Sequence, residues 1–152
     1  MNGGLRALSR YECLSLLGAV TGGRLAVLAG DVPAMRPAEH LTNLGDLVVR
    51  LDRLDAAAFR SRPARVLYAA GDQACAKPWA VMVTGHATLI DDPQESELFG
   101  ALLSPVGTAA PLIRVRPAHI RGVRVVPPRH RSTRPPGRTS GSPLPDAATG
   151  RG

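Results

Sequence analysis

The chain has 152 residues, a length typical of one domain, and 44% of them are hydrophobic although only 3% are aromatic, so the core must be built from Val, Leu, Ile and Ala. Its two cysteines, Cys13 and Cys75, are too few for a disulfide framework. The sequence has no apolar stretch long enough to predict a membrane span, and no apolar segment follows the charges of residues 1–10 as it would in a secretory signal. We therefore expect a reducing, cytoplasmic location, no metal site at the cysteines and no membrane partner. The formal net charge of +7 includes five arginines against one acidic residue in residues 127–152.

The first predicted elements are a short helix and two hairpins. Ser9 and Glu12 have the spacing of a capping box, which predicts a helix over Arg10–Leu17 with Gly18 available to end it. The hairpins follow from β-rich runs that are separated by turn residues. Their parts, in chain order, are Gly23–Gly30, a turn at Gly30 and Asp31, Val32–Arg36, His40–Leu44, a turn at Asn43–Asp46, and Leu47–Leu51.

The second half of the chain contains the clearest strand, Trp79–Ile90, in which Trp79, Val81 and Val83 alternate with residues of the other face. Gly85 would allow a β-bulge in this strand. Asp92 and Pro93 form an N-cap and a first helical residue, which predicts a helix from Pro93 to Leu103. The other predicted elements are a two-turn helix over Arg53–Phe59 and strands over Ala64–Gly71, Pro111–Pro117 and Arg121–Val126, the last two joined by a tight segment at Pro117–Ile120.

This order of elements predicts a mainly β fold with six or seven strands and two or three short helices. The strands follow one another instead of alternating with helices, which indicates an antiparallel barrel rather than a doubly wound parallel sheet. Residues 127–152 are rich in Pro, Gly, Ser and Arg and lack apolar periodicity. We therefore expect a folded domain over residues 1–126 and a disordered basic tail over residues 127–152.

The sequence contains no motif for catalysis by side chains. There is no nucleophile elbow, P-loop or GxGxxG segment, and His40 and His119 have no acidic or cysteine partners at metal-ligand spacing. No catalytic residue is assigned. If the protein is an enzyme, a bound cofactor must supply the chemistry.

Seven segments occur in a characteristic order. They are LSRYECLSLL (Leu8–Leu17), GRLAV (Gly23–Val27), PAMRPAEH (Pro33–His40), DLVVRL (Asp46–Leu51), VLYAAGD (Val66–Asp72), WAVMVTGHA (Trp79–Ala87) and PLIRVRPAHIRGVRV (Pro111–Val125). In this order they resemble the pyridoxamine 5'-phosphate oxidase-like family, the FMN-binding split barrels, in its short actinobacterial form. The resemblance covers about residues 8–126. It implies a split β-barrel that forms a homodimer, with each FMN in a groove at the dimer interface.

The resemblance also implies which residues contact the cofactor. Arg50 matches a strand-end arginine that binds the FMN phosphate, and Arg53 stands where the family usually has a lysine, after a shortened turn. Glu39 replaces a frequent asparagine, and Ala80 replaces the serine of a Trp-Ser-Val segment. The full set of implied cofactor-binding positions is Arg36, Pro37, Glu39, His40, Arg50, Leu51, Arg53, Trp79, Ala80 and Val81.

The leading hypothesis is a flavin-dependent oxidoreductase that acts on an unidentified small molecule through FMN. Relatives of this fold also use the deazaflavin F420 or haem, so these cofactors stay open. A second hypothesis is a cofactor-free dimer that serves as a binding or scaffold protein, because Glu39, Ala80 and the shortened turn each alter a cofactor contact. A third hypothesis is that the basic tail binds nucleic acid. We favour the alternative, in which the tail has no partner. Pyridoxamine phosphate oxidation itself is not expected, since the C-terminal Arg and His pair of that oxidase is missing.

Overall fold

The computed structural model describes residues 3–28, 34–51, 56–60, 62–103, 110–128 and 141. These residues form seven strands, two α-helices and one 3-10 helix, which confirms the predicted mainly β architecture. In chain order the elements are β1 (Gly4–Ala7), α1 (Arg10–Ala19), β2 (Gly22–Val27), β3 (Met35–Asn43), β4 (Asp46–Arg50), the 3-10 helix (Ala56–Phe59), β5 (Ala64–Asp72), β6 (Trp79–Leu89), α2 (Pro93–Leu103) and β7 (Leu112–Val126).

The strands form one antiparallel sheet in the order β1-β7-β4-β3-β2-β5-β6. β6 also pairs with β7, so six of the strands close into a barrel and β1 is added beside the C-terminal half of β7. Closure leaves few unpaired strand edges, which is the usual solution for a small antiparallel sheet.

The barrel interior is filled by alternate residues of each strand. Val81 and Val83 of β6 are fully buried, and Phe59, Tyr68 and Trp79 are aromatic members of a core that is otherwise mainly aliphatic. α2 covers a second, smaller cluster on the outer side of the wall. Its buried members are Val48, Phe99, Leu103 and Leu112. β4 is therefore buried on both faces.

Helix α1 begins as predicted. The backbone N–H of Glu12 donates to Ser9 Oγ at 3.2 Å and the backbone N–H of Ser9 donates to a Glu12 carboxylate oxygen at 2.8 Å, which together form a capping box. The helix continues through Gly18 to Ala19, two residues beyond the predicted end. Cys13 and Leu17 form its buried side.

The predicted bulge at Gly85 is present, and it explains why one prediction was wrong. Pro111–Pro117 and Arg121–Val126 are not two strands, because β7 runs without interruption from Leu112 to Val126 along β6. The register shifts between Thr84 and Gly85, so that Gly85 faces Pro117 and Thr84 faces His119. This leaves one extra residue on β7, and Pro117, which has no N–H, lies at the irregular point of the ladder. A Cβ on Gly85 would lie 2.1 Å from the carbonyl oxygen of Arg116, so only glycine permits this approach.

The hairpins also differ in detail from the prediction. Val32–Arg36 and His40–Leu44 were expected as separate strands, but one strand, β3, contains Met35 and Arg36 of the first and all of the second except Leu44. The predicted turn at Asn43–Asp46 is present, and Leu44 and Gly45 have φ angles of 52° and 86°, as a two-residue hairpin turn requires. β1 was not predicted, because all four of its residues are exposed and show no alternation. Of the helix expected over Arg53–Phe59, the described part is the 3-10 helix. Residues 52–55, the first hairpin turn at Gly30 and Asp31, and nearly all of the basic tail lie outside the described residues.

Candidate functional site

The outer wall of the barrel carries a row of residues that face one another across neighbouring strands. Arg50 of β4 is the register partner of Glu39 of β3, which is in turn the partner of Gly22 of β2. On the next two strands, Gly71 of β5 faces Ala80 of β6. We call Arg50, Glu39, Gly22, Gly71 and Ala80 the wall row. Four strand spacings of about 4.8 Å separate its ends, so it extends for about 19 Å around the wall.

Arg50 is held at one end of this row by two protein acceptors. Its Nη1 donates to Glu39 Oε2 at 3.2 Å and its Nη2 donates to the carbonyl oxygen of Gly100 in α2 at 2.9 Å. The Arg50 side chain is 13% exposed, whereas that of Glu39 is 49% exposed. The Nε atom of Arg50 is buried and has no hydrogen-bond partner among the described residues. A buried charged donor without an acceptor is costly, so an anionic acceptor bound at this position would satisfy it.

Two hollows lie side by side along the wall row. The first, of about 290 Å³, is lined by Pro37, Ala38, Glu39, Arg50 and Leu51. The second, of about 520 Å³, is lined by Gly22, Gly23, Arg24, Ala69, Ala70, Gly71, Gln73, Trp79 and Ala80. They are neighbours because Pro37, Ala38 and Glu39 are the register partners of Arg24, Gly23 and Gly22. A Cβ on Gly22 would meet no atom within 4 Å, so the surface above this glycine is open.

The positions implied by the sequence fall into distinct groups. Pro37, Glu39, Arg50 and Ala80 lie on the outer wall and line the hollows. Leu51 and Trp79 are buried in the core and also contribute to the lining. Val81 is fully buried inside the barrel, Arg36 is exposed on β3 opposite Leu25, and Arg53 lies outside the described residues.

The structure places His40 inside the barrel, away from the wall row. Its Nε2 donates to the carbonyl oxygen of Leu17 at 2.8 Å, and its Nδ1 accepts a hydrogen bond from the Tyr68 hydroxyl. Burial lowers the pKa of His40 and raises the pKa of Tyr68, which keeps the imidazole neutral and the phenol a donor. His40 therefore ties α1 to β3 and β5, and both of its ring nitrogens are already bonded.

Several residues of the site were not identified from the sequence. Gly22, Arg24, Gly71 and Gln73 line the second hollow, and the Gly100 carbonyl orients Arg50. Only the register between β2, β3 and β5 shows that these residues are neighbours. Among the described residues, no group of three or more His, Cys, Asp or Glu side chains could hold a metal ion. No helix in the described part of the chain is long and apolar enough to cross a membrane.

Comparison with known proteins gives concordant results. A family model described as pyridoxamine 5'-phosphate oxidase matches residues 9–134. The uncharacterized protein Rv0080 of Mycobacterium tuberculosis is 32% identical over 128 residues, which cover 78% of this chain and 84% of that protein. Among solved structures, an FAD-binding protein from Mesorhizobium loti matches 83% of this chain and all of its own chain, with a TM-score of 0.70 at 19% identity, which shows the shared fold. The FAD binding protein of Mycobacterium smegmatis matches 80% of this chain and 98% of its own, with a TM-score of 0.60 at 25% identity.

Proposed function

Because the chain belongs to the pyridoxamine 5'-phosphate oxidase family, we propose that it binds a flavin along the wall row and acts as a flavin-dependent oxidoreductase. Two structurally similar proteins are described as FAD-binding, which supports a flavin as the class of ligand. Within that class we propose FMN, because the wall row offers one largely buried arginine for one phosphate. When bound, the flavin supplies the hydride or electron transfer for which the chain has no side-chain equivalent.

The unpartnered Nε of Arg50 is the observation that carries this proposal. A phosphate in the first hollow would accept from Nε and could replace Glu39 as the acceptor of Nη1, which gives the paired, charge-assisted bonds that arginine forms with phosphate. Glu39 is half-exposed, so its carboxylate can turn towards solvent without leaving a buried charge. The Gly100 carbonyl would keep Nη2, and with it the plane of the guanidinium, in place.

The glycine residues of the wall row suit the flat part of the ligand. Gly22, Gly71 and Ala80 present little or no side chain, so an aromatic ring system can approach the strands closely across the second hollow. Arg24 and Gln73 line the same hollow and supply polar groups near its apolar floor. The wall would therefore position the ring and exclude water from one of its faces, while the phosphate is held at Arg50.

We also propose that a second copy of the chain completes the site. An apolar face continues from Ala80 across β6, β7 and β1, where Leu5 is 71% exposed, Met82 50% and Val125 40%. A further hollow of about 220 Å³ between Leu5, Trp79 and Val123 belongs to the same face. Exposed apolar patches of this kind mark interaction surfaces. A homodimer would cover this face and enclose the side of the ring that the wall of one chain leaves open.

One observation favours a second candidate function, a cofactor-free binding or scaffold protein. The Glu39 carboxylate already neutralises Arg50 and occupies one of its donors. If Arg50 stays paired with Glu39 even when flavin is present, the wall row has no phosphate site. The apolar face would then serve dimer formation alone.

An absorption scan of the purified full-length protein, followed by titration with FMN, separates these two functions. We expect a protein that is yellow as isolated or that quenches FMN fluorescence with saturation. A protein that stays colourless and leaves FMN fluorescence unchanged would refute the flavin proposal and support the scaffold. F420 and haem belong in the same titration, because binding of either in place of FMN would identify a different cofactor.

A further inference from the structure

A second surface of the barrel carries basic side chains that the flavin proposal does not use. Arg65 of β5 is the register partner of His86 of β6, and His86 is also the partner of Arg116 of β7. Further along β7, His119 faces Thr84 and Arg121 faces Met82 on the same side of the wall. All five side chains are exposed. We call Arg65, His86, Arg116, His119 and Arg121 the basic band.

The basic band is electrostatically unbalanced. Arg65 and Arg116 carry like charges two strands apart on the same face, and only His86 lies between them. No acidic residue occupies an outward-facing position in the described strands β5, β6 and β7. The nearby Arg114 is different, because it forms an ion pair with Glu95 of α2 at 3.0 Å. The fold therefore keeps a cluster of positive charge that its described residues do not compensate.

We propose that the basic band is a docking surface for the phosphate backbone of double-stranded nucleic acid. The band lies on an exposed sheet face with strands about 4.8 Å apart, whereas small anions are usually bound in concave pockets. An extended polyanion can contact all three strands at once. Phosphate contacts of this kind hold a duplex in place without reading its sequence.

The aromatic residues favour a duplex over a single strand. Single-stranded nucleic acids are typically bound by exposed aromatic rings on which the bases stack. Tyr68 and Trp79, the aromatic residues of β5, β6 and β7, are both buried in the core. The surface thus offers charge without a stacking platform. The basic tail is a poor occupant of this surface, because its five arginines would be repelled.

Arg65, His86 and Arg116 of the basic band are spatially separate from the wall row, whereas Arg121 faces Met82 at the edge of the apolar face. His86 lies six residues along β6 from Ala80, a distance of about 20 Å at the usual rise of a strand. A duplex on the band and a flavin on the wall row could therefore be bound together. The proposal does not depend on the flavin, and failure of either leaves the other standing.

The test is the binding of a fluorescently labelled DNA duplex to the full-length protein, measured by anisotropy over a range of salt concentrations. We expect the double variant Arg65→Ala, Arg116→Ala to bind more weakly at low salt. The slope of log K against log salt should fall by about 1.8, since each lost phosphate contact removes about 0.9. The matched control is Arg10→Ala, Lys77→Ala, which removes two exposed charges outside the band. This control should bind nearly as the unmodified protein does, and both variants should bind FMN as before.

Several results would overturn the proposal. They are no binding by the unmodified protein at low salt, equal losses in the two double variants, or tighter binding of a single strand than of the duplex. A full-length variant distinguishes binding by the tail from binding by the basic band. It has Ser in place of Arg129, Arg131, Arg134 and Arg138. If it loses all binding, the tail and not the band is the site. Thermal unfolding checks the fold, and the band variant should unfold at no lower temperature than the unmodified protein, because it relieves like-charge repulsion.

Discussion

Replacement of Arg50 by alanine tests the phosphate end of the wall row. This guanidinium has one buried donor that no described residue accepts from, and a second donor bound to the half-exposed Glu39. A hydrogen bond to a charged group contributes about 1.5–3 kcal/mol, so the loss of one such bond to phosphate should weaken FMN binding by about 10- to 150-fold. Riboflavin has the same ring without the phosphate. Its binding to the Arg50→Ala variant should change little.

The assay is a titration of each variant with FMN and with riboflavin, followed by quenching of flavin fluorescence. Arg65→Ala is the matched control, because it removes an exposed arginine from β5 outside the wall row. A loss that is equal for FMN and riboflavin would show that Arg50 acts through the packing of α2 and not through the phosphate. Unchanged FMN binding in the Arg50→Ala variant would refute the phosphate site altogether.

Three further predictions concern residues around the site and in the core. Glu39→Gln removes the carboxylate that competes for Arg50, and because half-exposed ion pairs contribute about 0.2–1 kcal/mol, FMN should bind about 1.4- to 5-fold more tightly in the same titration. Gly22→Val should leave the melting temperature nearly unchanged, since a Cβ there meets nothing within 4 Å, but it should block flavin binding. Burial lowers the pKa of His40 below its ordinary 6.5, so the unfolded chain binds more protons below that pH. His40 therefore contributes its full stability above about pH 6.5, and the free energy of unfolding should fall with decreasing pH by up to about 1.4 kcal/mol per unit in urea titrations.

Each of these predictions has a contradicting result. Weaker FMN binding by Glu39→Gln would mean that the carboxylate assists the ligand. A Gly22→Val variant that still binds flavin would place the ring elsewhere. For the histidine, a His40→Gln variant should lose the pH dependence between pH 7 and 5, and an unaltered slope would assign the dependence to other groups.

Local sequence signals predicted most of the fold. The capping box of α1, the alternation in β6, the bulge at Gly85 and the N-terminus of α2 depend on residues close in the chain, and each is present. Where the prediction failed, pairing between strands that are distant in the sequence determined the structure. Pro117 was interpreted as the end of a strand, but β6 pairs with β7 on both sides of it and continues the ladder. β1 has no apolar pattern of its own and forms only because β7 offers an open edge to it.

The candidate site was accessible from the sequence only in part. Arg50 was identified because it ends a strand within a segment that resembles the family. That His40 points inward while Glu39 points outward follows from the alternation along β3, but the phase of that alternation depends on its register with β4. The approach of Gly22 and Gly71 to the same hollow needs the pairing of β2 with β5, which no local signal contains.

The central claim is that a flavin lies along the wall row with its phosphate at Arg50, and a crystal structure of the full-length protein grown with FMN tests it most directly. We expect phosphate oxygens about 2.7–2.9 Å from the guanidinium nitrogens of Arg50, the Glu39 carboxylate turned away, and the ring over Gly22 and Gly71. FMN bound at another surface, with Arg50 still paired to Glu39, would contradict the account.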